Sequence, residues 1–113
     1  MRAIHCALIV GGLLATTPAI AKDHLGYVAI QAGDYATAER TITAERRIFP
    51  DMPELLLNLA TVYTRTGRAA QARDLYLRVL KEDDVMLDLP SASGVSSHAL
   101  ARAGLAKLTF ASR

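Results

Sequence analysis

The chain has 113 residues, 51% hydrophobic and 21% charged, with a formal net charge of +2. That length bounds it to one domain, and that apolar content excludes wholesale disorder. The small, dispersed charge excludes a nucleic-acid surface, and the lack of Trp with only 5% aromatics leaves an Ala- and Leu-rich composition that favours helix over sheet.

Residues 1–21 read as a secretory signal peptide. Arg2 supplies a positive start, residues 3–21 carry no Asp, Glu, Lys or Arg, and Cys6 to Ala15 is a compact apolar run. Pro18 then breaks the helix, and Ala19 and Ala21 place small residues at the −3 and −1 positions of a cut before Lys22. The alternative is an uncleaved anchor. Against it, the uncharged run is at the short end for the ~20 residues of a span and contains Gly11, Gly12 and Pro18. A lipid anchor on Cys6 fits worse, since the apolar run follows that Cys. Cleavage removes the only cysteine, so the expected mature chain has no disulfide and relies on helix packing. Membrane contact is then transient. The expected location is the periplasm or cell envelope of a bacterium, or otherwise the secreted space.

Four helices are expected next, over about 23–32, 35–48, 53–66 and 69–81. Gly33 and Gly67, Ala36 and Ala70, and Ala38 and Ala72 share one 34-residue offset, and Ile42 and Tyr76 keep it as bulky residues. Each Gly lies between two apolar helical runs, where a tight turn between antiparallel helices needs positive φ. Ala38 and Ala72 fall early in the second helix of each pair, where small side chains let helices approach. Pro50 and Pro53 separate the two pairs. Asp51 with Glu54 has capping-box spacing, which predicts a helix start near residue 52.

Residues 85–96 form the third region. Glu82, Asp83 and Asp84 read as a solvated acidic run that stops the fourth helix, since acids oppose the macrodipole there. Residues 85–89 are apolar and lead into Pro90 to Gly94, which reads as a short β-hairpin or an apolar loop on the core. Ser96 or Ser97 suits an N-cap, and 97–113 is read as a C-terminal capping helix, with Leu100, Leu105 and Leu108 as a partial apolar stripe. A third repeat in strict register fails after Gly94.

These residues resemble the tetratricopeptide repeat over about 22–84. Leu56, Leu59, Ala60, Tyr63, Gly67, Ala72, Tyr76 and Val79 match its pattern in the second copy, and Leu25, Gly26, Gly33, Tyr35, Ala38, Ile42 and Pro50 in the first. The first copy departs at Ala29 and Glu45. The resemblance implies an all-α fold of antiparallel helical hairpins, a right-handed α-solenoid fragment. It also implies a concave groove lined by the first helix of each pair. Carried over, the groove residues are Asp23, Tyr27, Ile30, Gln31, Glu54, Leu57, Thr61, Thr64 and Arg65, a mixture suited to a peptide or partner helix. The paired Lys and Asn that clamp a peptide carboxylate in some members are replaced here by Leu57 and Thr61.

No residue pattern points to catalysis. His24 and His98 lack partners at zinc-site spacing, no Gly-rich phosphate loop follows the signal segment, and the serines of 91–97 suit turns. The expectation is a non-catalytic protein without cofactor or metal that binds a protein or peptide. The alternatives are a self-associating structural protein, whose groove would bury Leu57 and Tyr27, and an accessory subunit of an envelope complex.

Overall fold

A computed structural model describes residues 23–90 and 92–111. The signal-peptide reading of residues 1–21 lies outside them. Along the chain come α1 (Tyr27–Gln31), α2 (Tyr35–Glu45), α3 (Pro53–Arg65), α4 (Ala69–Lys81), β1 (Met86–Leu89), β2 (Ala92–Ser96) and α5 (Ser97–Ala111).

The two hairpins repeat down to single hydrogen bonds. Gly33 and Gly67 both have φ of 75°. After α1, the N–H of Gly33 donates to Ile30 O and that of Asp34 to Ala29 O. After α3, Gly67 donates to Thr64 O and Arg68 to Tyr63 O, each pair shifted by the same 34 residues. Both are Schellman closures, which satisfy carbonyls that a helix end would leave orphaned. Asp34 then caps α2, accepting from Thr37 N at 3.2 Å. Pro53 occupies the first turn of α3, where its missing N–H costs nothing.

Two boundaries and one cap differ from expectation. The first helix does not run from 23; it starts at Tyr27, because Gly26 takes φ 69° immediately before it. The second stops at Glu45, and residues 46–48 form a turn. The third starts where predicted, but without the capping box. Met52 is its N-cap with no side-chain bond, and Asp51 instead pairs with Arg78, its Oδ1 accepting from Nε at 3.0 Å.

The core centres on α3. Leu55, Leu56, Leu57, Leu59, Ala60 and Val62 are buried all round it, because α3 packs against α2, α4 and α5. Ala38 and Ile42 join from α2, and Ala72, Leu75, Tyr76 and Val79 from α4. Two ties span the hairpins. Arg68 donates to both carboxylate oxygens of Glu39 at 2.8 and 2.6 Å while its guanidinium lies 4.4 Å from the Tyr63 ring centroid. Asn58 Nδ2 donates to Leu25 O at 2.8 Å.

Met86–Leu89 and Ala92–Ser96 pair as a hairpin, where the sequence left a hairpin or an apolar loop open. β1 and β2 pair antiparallel, with Met86 opposite Ser96 and Leu87 opposite Val95. Leu87, 2% exposed, and the partly buried Leu89 pin this hairpin to the core. The last helix packs on α4 and α3, as a terminal helix covering the open side of the array should.

The acidic run is more specific than a solvated stop. Asp84 Oδ1 accepts from Ser96 Oγ at 2.7 Å, Ser97 Oγ at 3.2 Å and His98 N at 3.1 Å. Those bonds, Ser96 and His98 first, hold its carboxyl below the ordinary value. Ser96 Oγ in turn accepts from Ala99 N at 3.0 Å, the N-cap bond of α5. Asp84 thus joins the end of the repeat array to the start of α5.

Candidate binding pocket

Helix α1, helix α3, the β-hairpin and α5 together enclose a pocket of about 270 Å³. Its walls are mostly apolar: Leu25, Leu57, Leu87, Leu89, Pro90, Leu100 and Ala103 contribute, with the ring of Tyr76 and the backbone of Gly104. Glu54, Asp88 and Lys107 supply charge at the lining. That composition, apolar walls with a few polar groups, is what orients an organic side chain or ligand.

Four of the nine expected groove residues meet here: Tyr27, Glu54, Leu57 and Thr61. Their situations differ. Tyr27 and Glu54 are half-buried. Leu57 is only 8% exposed and belongs to the core. The Thr61 hydroxyl donates to Leu57 O at 3.0 Å, back into its own helix, so its methyl and an acceptor lone pair are what it offers a ligand.

The other five are elsewhere. Asp23 caps α1: its Oδ1 accepts from Tyr27 N at 2.9 Å, and its Oδ2 from Val28 N at 2.8 Å and Ala29 N at 3.3 Å. It lines a separate concavity between α1 and α2. Ile30 packs on the core. Gln31 and Arg65 are exposed and line no part of the pocket. Thr64 donates to Ala60 O at 2.8 Å. The nine residues therefore do not form one continuous groove: four meet beside the hairpin and α5, and five lie outside that pocket.

The pocket residues outside the expected groove are Leu25, Asn58 and those contributed by the closing elements and by α4. Leu87, Leu89 and Leu100 looked like generic apolar positions. Gly104 had a signal: a Gly inside an Ala-rich helix gives up helix propensity and calls for a packing reason. Tyr76 was placed as a packing residue and also reaches the pocket.

The histidines take structural roles. His24 Nδ1 lies 2.8 Å from Glu45 Oε1, and His98 Nε2 lies 2.7 Å from Glu82 O. Among the described residues, no group of three or more His, Cys, Asp or Glu could hold a metal ion. Among the same residues, no helix is long and apolar enough to cross a membrane.

Paired antiparallel helices with Schellman turns 34 residues apart, a terminal helix and a lined concave pocket define a helical-repeat scaffold. A family model of the tetratricopeptide repeat matches residues 29–86, half of the chain, and the protein belongs to that family. No curated protein and no solved structure matches the chain. Repeats of this family generally mediate protein–protein interaction.

Proposed function

We propose that this is an exported, non-catalytic interaction protein that anchors a segment of a partner protein in the pocket between α1, α3, the β-hairpin and α5. The observation that carries the reading is the pocket itself. Its volume, about 270 Å³, is slightly below the ~300–1,000 Å³ of sites that engulf drug-sized ligands. A space of that size suits one large side chain of a longer segment, with the rest of the segment lying along the exposed rim. Export rests on the charge-free residues 3–21 and the small residues before Lys22.

Two experiments test the two halves. Intact mass of the product recovered after secretion should correspond to a chain starting at Lys22; a full-length mass would replace export by anchoring. For the pocket, peptides selected from a displayed library on the secreted protein should bind the Ala103→Trp variant at least tenfold more weakly. Ala103 is an exposed position on the pocket wall, so the melting temperature should stay unchanged. Selected peptides indifferent to that substitution would remove the pocket from the account.

A second reading has its own observation. Val28 is 58% exposed, Ile48 66% and Phe49 48%, all near the open first repeat. Such residues also suit self-association, with a second copy covering the end of the array. Light scattering after chromatography separates the readings: a monomer favours a foreign partner, and a dimer favours the structural role.

A further inference from the structure

The pocket has one feature that an apolar anchor alone does not use. Tyr76 is 7% exposed and lines the pocket, yet its hydroxyl makes no hydrogen bond within the described residues. The rest of the side chain is held firmly. An ideal Cβ on Gly104 would lie 2.3 Å from Tyr76 Cζ, the atom that bears the hydroxyl, and 2.5 Å from Cε1. Only a residue without a side chain at 104 lets the tip of the ring pass between α4 and α5. The sequence thus gives up helix propensity at 104 and thereby seats a phenol at the edge of the pocket.

A phenol used only for packing could equally be a phenylalanine. Buried Tyr hydroxyls normally find a partner. In the open pocket, solvent can serve. An aliphatic or phenyl occupant would displace that solvent and leave the hydroxyl dry and unpaired, whereas an occupant with a polar tip would replace the lost bond. Sites built around a buried hydrogen-bonding group discriminate strongly against analogues that lack the matching group. The size of the pocket selects for one large side chain, and the apolar walls select for one that is mostly hydrocarbon.

We propose that the pocket is selective for an aromatic anchor with a polar tip, a tyrosine or tryptophan side chain of the partner segment, which pairs with the Tyr76 hydroxyl. This rests on the pocket being the binding site, as argued above. The alternative anchors, leucine or phenylalanine, are outcomes of the test.

The test uses isolated side-chain analogues on the isotope-labelled protein recovered after export of the full chain. The probes are p-cresol, the tyrosine side chain alone, and toluene, the phenylalanine side chain alone. Backbone amide shifts are followed for each. The expected result is binding of p-cresol roughly five- to tenfold tighter than toluene, with shifts at Gly104 and Leu57. In Tyr76→Phe that preference should vanish, with binding of toluene retained. Equal binding of the two probes to the wild type, or a preference that survives in Tyr76→Phe, would overturn the selectivity and leave the pocket standing. Shifts from neither probe in a folded protein would overturn both. Should Tyr76→Phe fail to fold, the comparison on the wild type still decides.

Discussion

Single side chains at the α4–α5 seam control both stability and the pocket. Gly104→Ala puts two effects in opposition. Alanine gains roughly 0.5–1 kcal/mol of helix propensity over glycine. Its Cβ would stand 2.3 Å from Cζ of a ring that is 7% exposed, and overpacking of this kind costs about 1–3 kcal/mol. The clash should win, so Gly104→Ala is expected to lower the melting temperature, by about 4–8 °C per kcal/mol for a domain this small. A thermal melt rising with Gly104→Ala would mean that α5 yields freely and the seam is loose.

Asp84 makes a prediction about pH at the same scale. Its carboxyl is held below the ordinary 3.8 by bonds from Ser96, His98 and Ser97. A depressed native pKa means that the ionised form stabilises the fold. The contribution is present at neutral pH, begins to fall as pH drops below 3.8, and is gone below the depressed native value. Asp84→Ala should therefore melt below the wild type at pH 7, and the gap should narrow with acid through that window. A gap that is constant with pH would show that the carboxylate charge does not support the cap.

At the scale of elements, burial orders the helices by stability. Helix α1 has five residues and none is buried, and α3 has six buried residues among thirteen. Few buried contacts and a short hydrogen-bond ladder mean cheap local opening. Hydrogen exchange should release the α1 amides first and the amides of Leu59 and Val62 last. Equal protection of α1 and α3 would show that the first repeat opens only with the whole domain. Leu87 is the most buried side chain of the β-hairpin. Leu87→Ala leaves a hole where a residue only 2% exposed had packed, and such truncations cost about 2–5 kcal/mol. Because Leu87 also lines the pocket, a calorimetric loss in that range should be accompanied by weaker binding of any pocket ligand.

The elements also show how far local patterns carry. The turns after α1 and α3 were readable because glycine at φ 75° recurs at one fixed offset. The start of α3 was readable from Pro53, though the capping-box reading of Asp51 failed. That carboxylate has a stronger partner in Arg78, on α4, and a charged long-range partner outcompetes a neutral local N–H. The acidic run at 82–84 was read as solvated for the same reason. The bonds of Asp84 go to residues twelve to fourteen positions later, beyond any local spacing rule.

For the whole molecule, the array is two hairpins closed by α5. Repeats that contact only their neighbours need covered ends. One end is covered by α5, while Val28, Ile48 and Phe49 remain exposed near the other. The purified chain is expected to be a monomer by light scattering at micromolar concentration, with the pocket available to a foreign segment. A stable dimer that disappears on Phe49→Ser would instead assign the first repeat to self-association.

What the sequence determined by itself was the repeat: helix, Schellman turn, helix, at one 34-residue offset, with small residues at the crossings. That information is local or strictly periodic, so it survives without coordinates. Tertiary structure alone decided which concave residues remain usable. Leu57 and Tyr27 are both groove positions in the pattern, yet Leu57 is buried in the core while Tyr27 stays half-exposed. The pocket joins Tyr27 to Lys107 across most of the described chain. No periodicity relates those positions; only the way α5 seats on α4, with Gly104 against Tyr76, brings them to one wall.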